Sequence, residues 1–128
     1  MGYYNDVCVL CSEDTFEQVR IRAEKRFAEQ AEQHPDWHLD KAWKPSDTLA
    51  SADALAVAGG LTAYRFDCVK WSGTAELCIT EAIEEMAEEE AGIEFIRVGE
   101  EEGDIEKIGE ESDLPAHLET RTIINVYE

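Results

Sequence analysis

The chain has 128 residues, the size of one domain, and 30 acids against 11 bases give it a formal charge of −19. Hydrophobic residues make up 44%, enough for a core, so the charge does not mark a disordered chain. No apolar run nears the ~18 residues of a membrane span, and no basic face is available to neutralise phosphates, which argues against a bilayer-crossing helix and against direct nucleic-acid binding.

Tyr3 to Cys11 reads as a strand, and its run Val7-Cys8-Val9-Leu10 suits a strand covered on both faces. Ser12 caps the helix that follows, with Glu13 and Asp14 favourable in its first turn. Phe16, Val19, Ala23 and Phe27 form one helical stripe, and Pro35 ends the helix near Gln33. Residues 34–52 show no clear period: they are a functional loop or they conceal a short element. A short strand Ala54–Val57, a turn at Ala58-Gly59-Gly60 and a longer strand Leu61–Trp71 come next. In the longer strand Tyr64, Phe66 and Cys68 fall on one face, Ala63, Arg65, Asp67 and Val69 on the other.

Thr74 caps a second helix ending near Ala91, with Gly92 as its left-handed stop. Ile79, Ala82, Ile83 and Met86 are its buried stripe. Ile93–Val98 is a strand, residues 99–118 are turn-rich and acidic, and Thr120–Tyr127 is a β-rich final strand. The order predicts one α+β domain over residues 1–128, a ferredoxin-like βαββαβ sandwich with an extra C-terminal strand and two helices on one face of an antiparallel sheet. A second reading merges the short second strand into a loop and leaves four strands.

The charge is concentrated. Residues 76–113 hold 16 acids and 2 bases, whereas residues 1–75 have a net charge of −4 and residues 114–128 of −1. Glu81, Glu84, Glu85 and Glu88 lie opposite the buried stripe of the second helix, and no base occurs from 72 to 96. Like charges three or four apart repel, so stability alone would favour interleaved lysines. Glu100, Glu101, Glu102, Asp104, Glu106, Glu110 and Glu111 continue the run. The plain reading is a solvated face in an acidic protein. The sharper one is an electrostatic decoy: seven carboxylates between 76 and 90 give a spacing similar to that along one phosphate strand, a surface that a basic nucleic-acid cleft could accept. Leu77 on the acidic side is half-covered at the helix start or an apolar anchor inside the patch.

Four cysteines stand at 8, 11, 68 and 78. Without a signal-peptide pattern the expectation is a reduced, cytoplasmic chain with free thiols. Cys8 and Cys11 have redox or zinc spacing, but in a strand they point to opposite faces, and Cys68 alternates with core aromatics, so all read as buried side chains. His34, Asp36, His38 and Asp40 are metal-ligand types in no recognised motif. Trp37 and Trp43, beside Lys41 and Lys44, either pin the 34–52 segment to the sheet or form a second contact surface. No catalytic constellation, phosphate loop or calcium loop is present in the sequence, and no cofactor is expected.

Tyr3-Tyr4-Asn5-Asp6-Val7, Val69-Lys70-Trp71, Glu94-Phe95-Ile96-Arg97-Val98-Gly99-Glu100 and Asp104-Ile105-Glu106 before Gly109 together resemble a group of small acidic phage and prophage proteins. The matches are short and scattered over most of the chain. Cys8, Cys11 and the His34-Pro35 segment depart from the pattern. The resemblance assigns no catalytic residue. It implies a phage setting inside a bacterial host, where such proteins often disarm defence by binding a nuclease or its nucleic-acid channel. The leading expectation is therefore a non-enzymatic inhibitor, anti-CRISPR or anti-restriction in type, that offers residues 76–113 to a basic host protein. A self-associating structural or regulatory accessory, dimerising through an uncovered strand edge such as Thr120–Tyr127, is the alternative. A metal-dependent enzyme ranks third.

Overall fold

The structure, a computed structural model, describes residues 4–109. Strand β1 (Asn5–Cys11) is buried along almost its whole length, as its continuous apolar run requires. Ser12 then accepts the Thr15 N–H at 3.1 Å and starts α1 (Glu13–Gln33), whose Val19, Ala23 and Phe27 are buried. Phe16 on the same helix stacks on the Tyr64 ring with centroids 3.6 Å apart.

The segment without a visible period does contain structure. Two 3-10 turns, Pro35–Trp37 and Leu39–Lys41, lead into a short helix, α2 (Pro45–Ala50). Pro45 sits in its first turn, and the Asp47 carboxylate accepts the Lys44 N–H at 3.0 Å. Six residues are fewer than two turns, too few for a stripe to declare itself.

Strands β2 (Asp53–Ala56) and β3 (Thr62–Val69), helix α3 (Thr74–Glu88) and strands β4 (Glu94–Gly99) and β5 (Ile105–Ile108) complete the described chain. The sheet order is β2-β3-β1-β4-β5, with every neighbouring pair antiparallel. The protein is thus α+β, with three helices and five strands among the described residues. The helices share one core with one face of the sheet. Val19, Ala23 and Phe27 of α1, Leu49 of α2 and Ile79, Ala82, Ile83 and Met86 of α3 meet Val7, Val9, Tyr64, Phe66 and Phe95.

Four expectations change. Strand β5 occupies a stretch expected to be turns, and the expected strand Thr120–Tyr127 lies outside the described residues. The cap of α3 is Gly73, one residue before Thr74. Its stop is Glu90, at φ 58°, rather than Gly92: the Glu90 N–H donates to the Ala87 carbonyl and the Ala91 N–H to that of Met86, which closes the helix end. A carboxylate there is doubly unfavourable, in a left-handed backbone and at the negative end of the helix. Glu90→Gly is therefore expected to raise the unfolding free energy by about 1 kcal/mol in a urea titration.

The fourth change is in β3. Asn5 pairs with Val69 but Val7 pairs with Phe66, so β3 carries one extra residue. Cys68 takes the strain at φ 56° and is exposed, not a core residue beside Tyr64 and Phe66. Beyond it Val69 and Trp71 pack against the helix-side core, so Val69 lies with Phe66 rather than opposite it.

Candidate functional site: the outer face of α3

At 100° per residue Leu77, Glu81, Glu84 and Glu88 fall within about 60° of one another, a stripe about 16 Å long on the side of α3 away from the sheet. Glu84 and Glu88 are exposed, Glu81 is half-buried, and Leu77 is 59% exposed. Glu85, expected in the same solvent-facing set, is engaged elsewhere. Arg22 of α1 reaches it at 2.7 Å, and Arg26 bonds its other oxygen. Arg22 also holds Glu89 through two bonds of 2.8 and 2.9 Å, which keeps the Glu89 carboxyl below its usual range. The reason is tertiary: α1 packs beside α3 and supplies the bases that residues 72–96 lack. Among the described residues Glu81, Glu84 and Glu88 have no such ion pair.

The start of α3 is fixed by a buried carboxylate. Glu76 accepts the Gly73 N–H at 3.1 Å and the Thr48 hydroxyl at 2.7 Å. Gly73 permits this approach, since a Cβ there would lie 2.6 Å from the Glu76 oxygen. Thr48 in turn accepts the Trp43 indole N–H at 2.7 Å. Sequence reasoning missed Glu76, although its place three residues after Gly73 is a helix-start signal.

Trp43 is 62% exposed and Trp37, stacked on His34, is 49% exposed. Neither indole pins the segment to the sheet; Leu39, Pro45, Thr48 and Leu49 are the residues buried from it. Lys41 is exposed beside them. Trp37, Lys41 and Trp43 thus stand at the surface of the segment that contacts α3 through Thr48 and Glu76. His34, Asp36, His38 and Asp40 do not converge, and no group of three metal-ligating side chains forms among the described residues.

At the β4–β5 turn Glu100, Glu101 and Glu102 are exposed. Asp104 is not an outward charge like them. The Arg97 guanidinium donates to it at 3.1 and 3.3 Å, to Glu106 at 3.2 Å and to Asn5 at 2.8 Å. Asp104 therefore braces the end of the sheet. A concavity of about 400 Å³ opens beside it, lined by Asn5, Asp6, Asp67, Cys68, Val98 and Glu100 among others. It is built on the β3 bulge, which a regular alternation of residues conceals.

Cys8 and Cys11 do point to opposite faces of β1, so they form no chelate. Burial pushes the Cys11 thiol up to about 12 and, with help from Glu81, that of Cys78 up to about 11. A pKa that high leaves almost no thiolate at pH 8. Iodoacetamide at that pH is expected to modify exposed Cys68 within minutes and leave Cys11 and Cys78 intact, read by peptide mass mapping. Prompt alkylation of Cys11 would contradict its burial.

Comparison with family models, curated proteins and solved structures found no match. No described helix is long and apolar enough to cross a membrane. The class that the fold and face define is an α+β domain with a helix layer on one side of its sheet and, on the outer surface of that layer, an acidic stripe that makes no ion pair among the described residues.

Proposed function

We propose that the chain is a non-enzymatic binding protein that presents the outer face of α3 to a basic, nucleic-acid-handling protein of a bacterial host, as an anti-defence inhibitor. The observation that carries the reading is the stripe Leu77, Glu81, Glu84 and Glu88. Two arginines of α1 pair with the flank of α3 at Glu85 and Glu89, and among the described residues none pairs with this stripe. A helix under selection for stability alone would not keep like charges stacked at three- and four-residue spacing. Glu100, Glu101 and Glu102 add to the same long-range field, which speeds encounter with a cationic cleft. Exposed Leu77 supplies the apolar contact that a purely electrostatic encounter lacks.

The fold part of the proposal is a ferredoxin-like core: β1, α1, β2, β3, α3 and β4, with strands ordered β2-β3-β1-β4, to which α2 and β5 are additions. The phage setting rests on the sequence resemblance.

The test is capture from bacterial lysate on the immobilised protein, with nuclease present and elution by rising salt. A nucleic-acid-binding protein released at moderate salt, and displaced by its own nucleic acid, is the expected result. A partner whose retention ignores salt would overturn the reading. The self-association alternative draws on the sheet edges. Strands β2 and β5 have four residues each and carry Asp53, Glu106 and Lys107, features that blunt edge pairing. A concentration-independent monomer in sedimentation equilibrium is expected.

A further inference from the structure

The described elements cover only one face of the sheet. On the face opposite the helices lie Cys8, Leu10, Ala63, Ile96 and Val98, each 6% exposed or less. Among the described residues the partly buried hydrophobics packed against them are Val57 and Leu61, and Arg65, paired opposite Cys8, shares the face. Val57 and Leu61 belong to the β2–β3 connection, whereas Ile96 and Val98 are carried by β4, two strands away from β3. Pairing extends the apolar strip to both edges, since Leu55 sits opposite Ala63 and Ile105 opposite Val98. An apolar diagonal of this kind is not left to water in a chain that folds alone.

We propose that residues 114–127 of this chain dock across this face and close it. Reach permits it: the 19 residues after Gly109 span roughly 60 Å when extended, and the sheet is only about 19 Å wide across its five strands.

The exit point is also built. Gly109 follows edge strand β5 at φ 102°, and a Cβ there would lie 2.3 Å from the Ile93 carbonyl oxygen, so only glycine lets the chain leave along that path. Composition points the same way. Residues 76–113 have a net charge of −14, but residues 114–128 hold only two acids and one base. They bring Leu114, Leu118, Ile123, Ile124, Val126 and Tyr127. A stretch rich in apolar residues and low in net charge thus lies a few residues beyond the strand that borders an apolar strip.

Cys8 lies within the strip and reports on its cover. In a Cys68→Ser background, the full chain and a form ending at Gly109 are treated with iodoacetamide, and each cysteine is followed by mass mapping. Removal of the segment is expected to speed modification of Cys8 by about 100-fold while Cys11 and Cys78 stay protected, since local opening exposes only what the segment covered. Should the shortened chain fail to fold, as loss of Cys11 protection would show, Ile124→Asp with Val126→Asp in the full chain applies the same readout. Cys8 protection unchanged in whichever form remains folded would overturn the proposal. So would Cys8 exposure on simple dilution of a full-length dimer, which would make a second copy the occupant.

Discussion

Replacing Glu81, Glu84 and Glu88 together by lysine is expected to weaken binding to the basic partner about 100-fold or more at low salt, and to flatten its salt dependence. The triple variant should fold as well as the parent, because it removes like-charge neighbours and touches no described ion pair. Titration calorimetry against the captured partner at several salt concentrations measures the first effect, and a urea midpoint the second. Glu85→Lys is the control from the same helix. It breaks the bonds to Arg22 and Arg26 and should cost about 1 kcal/mol of stability, the pair being partly exposed, with little loss of affinity. Equal affinity of the triple variant and the parent would remove the acidic stripe as the binding device.

Glu76→Ala is expected to lower the unfolding free energy by about 3 kcal/mol. The substitution removes the group that caps α3 at Gly73 and leaves the buried Thr48 hydroxyl without its acceptor. Glu76→Gln keeps an acceptor oxygen and should lose only about 1 kcal/mol. Trp43 gives the loss a second signature. Its indole N–H is bonded to Thr48, so indole fluorescence should shift in the alanine variant before any global unfolding. A loss of a few tenths of a kcal/mol for alanine would mean that water replaces the carboxylate at little cost.

What the residues revealed in advance follows the range of each interaction. The run Val7 to Leu10 and the stripe Ile79, Ala82, Ile83 and Met86 are local patterns, and both are buried as read. Helix α2 was illegible because one and a half turns carry no period, and β5 because Ile105 and Ile108 do not alternate. The role of Glu85 could not be read from its own helix, since its partners lie 59 and 63 residues earlier. The same holds for Asp104, whose neutralising Arg97 faces it only once β4 and β5 pair. The acidic face was legible as a composition. Which carboxylates on it are paired with an arginine was a question of tertiary packing.

The extra residue in β3 inverts a familiar expectation about deletions. Loss of one residue inside a strand normally turns every later side chain to the wrong side of the sheet. Here Val69 already lies with Tyr64 and Phe66 on the helix side, because Cys68 takes up one position. Excising Cys68 would leave Tyr64, Phe66 and Val69 in unbroken alternation and keep the core intact. It would also straighten the strand where it borders Asp6, Asp67 and Glu100, so the hollow between them depends on a single residue that the core itself does not need.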